Sequence, residues 1–216
     1  MHADLHAVWK APRWALAVLL ACLGMLGPFA IDTYLPAFSG IAASLGATPA
    51  QMQQTLSAYL FGFAFMNLFH GALADSFGRR PVVLWGIAVF TVASIGCAVS
   101  TSLPMLVGMR VLQGVGGAMM VPVGRLAVLR SAGKADLVRA IALLTWPALA
   151  APVLAPALGG AIATAGSWRW IFIVNIPLGV IGFLLALRMI RGDPASGRWS
   201  LDWPGMLLLG GAIATA

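Results

Sequence analysis

The chain has 216 residues, of which 61% are hydrophobic and 9% are charged, and its mean hydropathy is +0.94. These values exclude an ordinary soluble domain and indicate an integral membrane protein. The net charge of +7 suggests nucleic-acid binding in a soluble protein, but here the basic residues lie between apolar segments, so we expect no nucleic-acid partner.

Six apolar segments, each long enough to cross a bilayer, are separated by clusters of Pro, Gly, Asp and Arg. They cover residues 14–36, 51–72, 82–100, 104–128, 138–165 and 168–190. Only helices cross a bilayer in this way without unpaired backbone groups, so the sequence predicts an all-α integral membrane fold. The predicted organisation is a tail (1–13), a six-helix bundle (14–190), a loop (191–202) and the start of a seventh helix (203–216).

The seventh apolar run reaches only about 20 Å at helical rise, which is too short to cross. We therefore expect the chain to be an incomplete, amino-terminal half of a larger protein, although a short interfacial segment is an alternative.

The distribution of basic residues predicts that the amino terminus is cytoplasmic. With that orientation, the inner segments hold Lys10, Arg13, Arg79, Arg80, Arg125, Arg130, Lys134, Arg139, Arg188, Arg191 and Arg198. The outer loops hold only Arg169, and Arg110 lies within a span. This asymmetry follows the positive-inside rule and indicates a multi-pass protein of the inner (plasma) membrane, in contact with the lipid bilayer.

Asp32 is the one acid predicted to lie within a span, in the stretch GPFAIDTYLPAF. Taking Pro36 as the outer end of the helix puts Asp32 roughly 6 Å below that end. A carboxylate within a membrane is costly and marks a functional candidate, here a cavity-facing group that takes up and releases a proton. The alternative is a carboxylate that reaches the outer interface and is solvated there.

Arg110, Gln113, Gly114 and Gly117 follow the spacing i, i+3, i+4, i+7 and so share one face of the fourth span. The two glycines allow another backbone to approach, while Arg110 needs a partner. Its depth, roughly 9 Å from the outer start, is close to that of Asp32. We expect the two to interact directly or through water; the alternative is that Arg110 bonds backbone carbonyls at a kink.

The fifth span carries Pro152 and Pro156 followed by Gly159 and Gly160. Prolines free backbone carbonyls and bend a helix, so this segment is either a structural kink or a moving gate.

Between the second and third spans lies the charged stretch GALADSFGRRP. Gly71 is expected to end one helix and Gly78 to allow a tight turn. Asp75 can accept hydrogen bonds from a helix amino terminus, and Arg79 and Arg80 hold the segment in the cytoplasm.

These motifs resemble those of the major facilitator superfamily, and in particular its proton-coupled drug efflux branch. GALADSFGRRP matches the loop signature Gly-x-Leu-Ala-Asp-x-x-Gly-Arg-Arg, and MLVGMRVLQGVGGAM is similar to the fourth-span motif at Arg110, Gln113 and Gly114. APVLAPALGG resembles the antiporter motif at Pro156, Gly159 and Gly160, and IDTYLPAF resembles the first-span signature of drug efflux members.

The resemblance implies a fold of two six-helix bundles, each made of two inverted three-helix repeats, that rock around a central site. It further implies that Asp75 joins a charge network that latches one conformation against a missing carboxy-terminal half, and that Arg110 takes part in proton handling.

The sequence departs from the family pattern at Ser76, where the loop motif often has a basic residue, and at Ala155, where the antiporter motif usually has Gly. The stretch YLPAF resembles the twelve-span group, whereas SWRWIFIVNIPLG is closer to the fourteen-span group.

The sequence thus predicts a secondary transporter that exports small hydrophobic or cationic drugs in exchange for protons. The alternatives are a transporter of a metabolite such as an amino acid or sugar derivative, and a membrane scaffold or sensor that does not transport. No cluster of His, Cys or acids suited to a metal or a nucleophile is found, so we expect neither an enzyme nor a metal or other cofactor.

Overall fold

The computed structural model describes residues 13–131 and 137–190. The described residues form eight α-helices and one 3₁₀ turn at Leu35–Ala37. The helices are α1 (Arg13–Asp32), α2 (Phe38–Leu45), α3 (Pro49–Phe77), α4 (Arg79–Ala98), α5 (Leu103–Ser131), α6 (Leu137–Ala165), α7 (Trp170–Ile173) and α8 (Asn175–Met189). The tail before Arg13, the loop 191–202 and the start of a seventh helix at 203–216 lie outside the described residues.

Five helical segments of the described chain are long and apolar enough to cross a membrane. They are Ala21–Leu45, Pro49–Phe77, Arg79–Ala98, Leu103–Met120 and Trp170–Met189. In α6, the apolar stretch Pro152–Thr164 is shorter than a span, although the whole helix has 29 residues. The sixth crossing therefore stays a prediction.

The first span does not end at Pro36, which corrects the predicted boundary. Proline has no N–H to bond the carbonyl of Asp32 four residues earlier, and α1 ends at Asp32. The chain then continues through the 3₁₀ turn into α2, which ends at Leu45 and is followed by Gly46 with a φ of 62°. Asp32 thus lies 13 residues before Leu45 rather than near the end of the helical path.

The helix α3 is longer than the predicted span at its carboxy-terminal end. It begins at a capping box, in which the side chains of Thr48 and Gln51 each accept a hydrogen bond from the other's backbone N–H. It then runs for 29 residues to Phe77. At about 1.5 Å per residue this is about 43 Å, which exceeds a hydrocarbon core of about 30 Å.

Glycines let the helices pack closely around α5. A Cβ on Gly114 would run into the Tyr59 carbonyl of α3, and one on Gly116 would lie 2.5 Å from the Phe90 nitrogen of α4. Such close approach through small residues is typical of membrane helices, which gain no hydrophobic driving force from one another. The helix α5 therefore packs closely between α3 and α4, with the side chains of Arg110 and Gln113 buried inside the bundle.

Two clusters of buried side chains form the core. The Phe90 cluster contains Leu19, Leu23, Leu26, Ala30, Val83, Ile87, Phe90, Met120, Ala186 and Ile190. The Trp168 cluster contains Tyr34, Ala37, Ile41, Met52, Cys97, Ala98, Leu106, Trp168, Ile171 and Phe172. Arg110 contacts members of both clusters, because it bonds the carbonyl of Ala30 and stacks on Tyr34.

Candidate functional site

Arg110 lies on α5 in the centre of the bundle with no solvent exposure. Its Nη1 donates to the Gln113 Oε1 at 2.8 Å and to the backbone carbonyl of Ala30 at 3.4 Å. The Ala30 carbonyl is available because α1 ends nearby, and the Tyr34 N–H bonds the Ile31 carbonyl instead. The break in α1 thus supplies an acceptor for the buried cation.

Aromatic rings surround the guanidinium of Arg110. Its Cζ lies 4.2 Å from the ring centre of Tyr34, 4.5 Å from that of Tyr59 and 6.0 Å from that of Phe172. These distances fall within the range for cation–π attraction, which is stronger where water is excluded.

A hydrogen-bond relay leads from Arg110 into α4. The Gln113 amide accepts from Arg110 and donates from Nε2 to the Ser94 Oγ at 2.8 Å. The Ser94 hydroxyl in turn donates to the Phe90 carbonyl of its own helix at 2.7 Å. All three side chains are fully buried, so the polar chain is a fixed part of the core.

The predicted face of α5 is confirmed. Arg110 and Gln113 are hydrogen-bonded on it, and both of its glycines meet other helices. A Cβ on Gly117 would lie 2.9 Å from the Tyr59 hydroxyl and 3.6 Å from the Cα of Gly27. The spacing i, i+3, i+4, i+7 therefore forms one surface that contacts α1, α3 and α4.

Asp32 and Arg110 were predicted to interact directly or through water, and the structure shows no direct contact between them. The Arg110 Nη1 bonds Ala30 and Gln113, and its Nε and Nη2 have no partner among the described residues. On α1, Arg110 contacts the backbone carbonyl of Ala30 and not the carboxylate of Asp32, which is partly exposed. The alternative of a bond to a backbone carbonyl is confirmed, and a contact through water stays a prediction.

Asp32 is partly exposed and ends α1. Pro28 and Pro36, one helical turn away on either side, are also at least partly exposed. The carboxylate therefore lies on a face of α1 that the described helices leave open, next to the break in the helix. This placement is compatible with proton uptake from a cavity, which stays a prediction.

The antiporter-like segment of α6 changes from exposed to buried along the helix. Pro152 and Pro156 are exposed, whereas Gly159 is buried and Gly160 partly buried. A Cβ on Gly159 would run into the carbonyl of Thr33, so this glycine allows α6 to pack against the break in α1. The two prolines precede this contact on the same side of α6, because the spacing i, i+4, i+7 places Pro152, Pro156 and Gly159 on one face.

The stretch 71–81 is a helix end followed by a single-residue turn. Gly71 lies within α3 and does not end a helix, which corrects the prediction. Gly78 alone separates α3 from α4 and has a φ of 88°, a conformation that residues other than glycine rarely adopt. The tight turn predicted at Gly78 is therefore confirmed.

Asp75 does not cap α4, contrary to the expectation that it would accept bonds from a helix amino terminus. It lies in the last turn of α3 with an exposed side chain, and the amino terminus of α4 has no side-chain cap. Arg80 instead reaches α8, where its Nη2 donates to the Leu187 carbonyl at 3.1 Å. The basic pair Arg79 and Arg80 opens α4, and Arg80 ties the start of that helix to the end of α8.

Sequence reasoning did not identify four of the residues around Arg110, namely Tyr34, Tyr59, Thr55 and Ser94. The chain has two tyrosines, and both stack on Arg110. A tyrosine buried within an apolar span needs a partner for its hydroxyl, and this was the available signal. The structure shows these partners to be Thr55 for Tyr34 and the Gly27 carbonyl for Tyr59.

Among the described residues, no group of three or more His, Cys, Asp or Glu side chains is placed to hold a metal ion.

Comparisons with known proteins agree with the fold and the motifs. Residues 17–213 match the family model of the Major Facilitator Superfamily. The putative multidrug resistance protein MdtD of Salmonella paratyphi B is 40% identical over 199 residues, which cover 91% of this chain and 42% of that protein. MdtD of Yersinia pestis (strain Pestoides F) is 40% identical over 205 residues, which cover 94% of this chain and 43% of that protein. The chain thus spans less than half the length of these curated relatives.

Two solved structures share the fold. The xylose transporter XylE from E. coli, in an inward-open conformation, has a TM-score of 0.74 at 15% identity and is matched over 94% of this chain and 54% of that one. The proton:xylose symporter XylE bound to 6-bromo-6-deoxy-D-glucose has a TM-score of 0.71 at 13% identity, over 81% of this chain and 44% of that one. At these identities the likeness shows the fold alone.

Proposed function

The chain belongs to the major facilitator superfamily, and we propose that its full gene product exports small hydrophobic or cationic compounds in exchange for protons. The observation that carries this proposal is the 40% identity, over 91% of the chain, to a protein named for multidrug resistance. The structure supports it with a buried cation at Arg110 and a partly exposed carboxylate at Asp32. An intramembrane charge is costly, and in this class of fold it marks a substrate or proton pathway.

Export requires a second helical bundle, and we propose that one faces the described helices. The curated relatives are more than twice as long as the matched segment, and alternating access in this fold needs two bundles that rock against each other. The exposed side chains Phe61 on α3 and Val153 on α6 are available to face either that bundle or lipid.

Replacement of Asp32 by Asn tests the proton step of the proposed function. Asn keeps the size of the side chain but neither carries a charge nor takes up a proton. We expect efflux driven by a proton gradient to fall at least about tenfold, as for the loss of a proton-transfer group. The measurement is uptake of fluorescent cations and of a panel of metabolites into everted membrane vesicles, with and without a proton-collapsing agent.

The outcomes of that assay separate the rival functions. Gradient-dependent transport of a metabolite but of no drug would favour the metabolite transporter over the drug exporter. No transport of any compound would favour a scaffold or sensor. Undiminished gradient-driven efflux by Asp32→Asn would show that this carboxylate is not the coupling group.

Asp75→Asn tests whether the end of α3 takes part in the transport cycle. The carboxylate is exposed and caps no described helix, so its charge is available to bind a group on the proposed second bundle. We expect transport by the full gene product to fall about threefold to tenfold, as for a loss of about 0.6–1.4 kcal/mol from one conformation, with unchanged amounts of protein in the membrane. The measurement is the initial rate of efflux, normalised to protein.

The control for Asp75→Asn is Asp193→Asn, in the predicted loop 191–202. Equal losses in both variants, or normal transport by Asp75→Asn, would show that Asp75 has no specific role in the transport cycle and serves only to mark the side of the membrane.

An Asp75→Cys variant tests the proposed orientation, with the amino terminus in the cytoplasm of the inner membrane. An impermeant maleimide should label it in everted vesicles and not in intact cells.

A further inference from the structure

Arg110 has no carboxylate partner among the described residues, although it is fully buried. Its Nη1 makes both of its hydrogen bonds, whereas Nε and Nη2 are buried and meet no acceptor in the described part of the chain. Nε and Nη2 form the edge of the guanidinium that pairs side-on with two oxygen atoms. A buried charge normally requires an opposite charge or several hydrogen bonds, so something else must stabilise this one.

Apart from its two hydrogen-bond acceptors, the guanidinium contacts the rings of Tyr34 and Tyr59. Their centres lie 4.2 Å and 4.5 Å from Cζ. The two rings come from different parts of the chain, Tyr34 from the break after α1 and Tyr59 from the middle of α3. They are both fully buried, so water does not weaken the attraction.

Each ring is itself held by its hydroxyl group. The Tyr59 hydroxyl donates to the Gly27 carbonyl at 2.9 Å. The Tyr34 and Thr55 hydroxyl oxygens are 2.6 Å apart, and because Thr55 donates its proton to the Met52 carbonyl, Tyr34 is the donor of this pair. The orientation of both rings is therefore fixed across the contact between α1 and α3.

We propose that Tyr34 and Tyr59 are positioning residues for Arg110, whose ring faces take the place of a carboxylate counter-ion and keep the guanidinium in the bundle centre. We call these two residues the tyrosine clamp. The proposal deepens the proposed transport function, because it assigns the residues that hold its buried cation, but it rests on contacts that exist whether or not the protein transports. It also links Arg110 to the break in α1, since Tyr34 lies two residues beyond Asp32.

The proposal predicts that the rings matter more than the hydroxyl groups. Loss of a desolvated cation–π contact should change the population of the correct arrangement more than about tenfold, whereas loss of a hydrogen bond between membrane helices should change it less than about threefold. Replacement by Phe removes only the hydroxyl group, and replacement by Leu removes the ring. The Leu variants should therefore make the Arg110 guanidinium more accessible, and the Phe variants should largely keep it buried.

The test measures how readily Arg110 reacts with phenylglyoxal, a membrane-permeable reagent for arginine, in membranes that contain the full gene product. Modification of Arg110 is quantified by mass spectrometry relative to the partly exposed Arg169 in the same sample. We expect Tyr34→Leu and Tyr59→Leu to raise the rate at Arg110 about tenfold, and the two Phe variants to raise it by less than about threefold. Leu variants as slow as the parent, or Phe variants as fast as the Leu variants, would overturn the proposal.

Two controls separate the ring electrostatics from packing. Phe90→Leu removes an equally buried ring from the Phe90 cluster, and it should leave the rate of Arg110 modification unchanged. A rise in this rate like that in the Tyr34→Leu and Tyr59→Leu variants would indicate general loosening and contradict the clamp.

Incorporation of 3,4,5-trifluorophenylalanine at position 59 keeps the ring but weakens the negative potential of its face. It should give a rate between those of Tyr59→Phe and Tyr59→Leu, and a rate equal to that of Tyr59→Phe would refute the electrostatic role. This variant also preserves the test if a Leu variant fails to fold. Absence of transport by the parent would overturn the proposed function without altering these rates.

Discussion

Arg110→Lys is expected to reduce gradient-driven efflux by the full gene product more than about tenfold while the protein still inserts into the membrane. Lysine keeps the positive charge, but its compact ammonium lacks the planar surface that stacks on Tyr34 and Tyr59. Loss of a desolvated cation–π contact of about 2 kcal/mol corresponds to a change of more than about tenfold in the population of the correct arrangement. The measurement is the initial efflux rate in everted vesicles, normalised to the protein found in the membrane.

Arg169→Lys is the matched control for this substitution. Arg169 also lies over an aromatic ring, with its Cζ 4.4 Å from the ring centre of Trp168, and also donates to a backbone carbonyl, that of Ser100, at 3.1 Å. It differs in being partly exposed, where cation–π contacts are weaker. We expect efflux by Arg169→Lys to stay near the parent level. Parent-level efflux by Arg110→Lys would instead show that a positive charge alone suffices at position 110.

The face of α5 could be predicted from the sequence because it depends on local geometry only. Residues three, four and seven apart share one side of any α-helix, so the grouping of Arg110 with Gln113, Gly114 and Gly117 needs no knowledge of the rest of the fold. The tight turn at Gly78 is local in the same way, because Gly is the residue that readily adopts its positive φ.

The relation between Asp32 and Arg110 could not be predicted, because it depends on how two helices are rotated about their axes. Counting residues from the helix ends gave similar depths for the two side chains. Depth does not specify direction, and Arg110 meets the backbone carbonyl of Ala30 rather than the carboxylate of Asp32. The depth of Asp32 was itself misjudged, because Pro36 was taken as the end of the span when it leads through a 3₁₀ turn into α2.

The contacts of the two tyrosines with Arg110 depend on long-range packing, which no local pattern encodes. Tyr34 lies in the break after α1, Tyr59 on α3 and Arg110 on α5, and only the assembled bundle brings them together. The sequence does indicate that a tyrosine within an apolar span needs a hydrogen-bond partner, but it does not say which helix supplies that partner.

Gly114→Ala is expected to destabilise the bundle by about 1–3 kcal/mol, the usual range for overpacking a close contact. The added Cβ would run into the Tyr59 carbonyl and lie 2.9 Å from the Phe63 nitrogen. Both are backbone atoms of α3, so no side-chain rotation relieves the clash and the two helices must separate. Because Tyr59 also stacks on Arg110, this separation should loosen the tyrosine clamp as well. The measurement is the midpoint of thermal unfolding in detergent, followed by the fraction of protein that stays monodisperse after heating.

Gly108→Ala is the matched control, because it makes the same change on the same helix where a Cβ would meet no atom within 4 Å. Alanine favours a helix over glycine by about 1 kcal/mol, so this variant should be as stable as the parent or more stable. Gly114→Ala gains the same helix propensity, and any net loss therefore measures the clash between α5 and α3. Equal midpoints for the two variants would mean that α3 and α5 can separate without cost, and the close contact at Gly114 would then not stabilise the bundle.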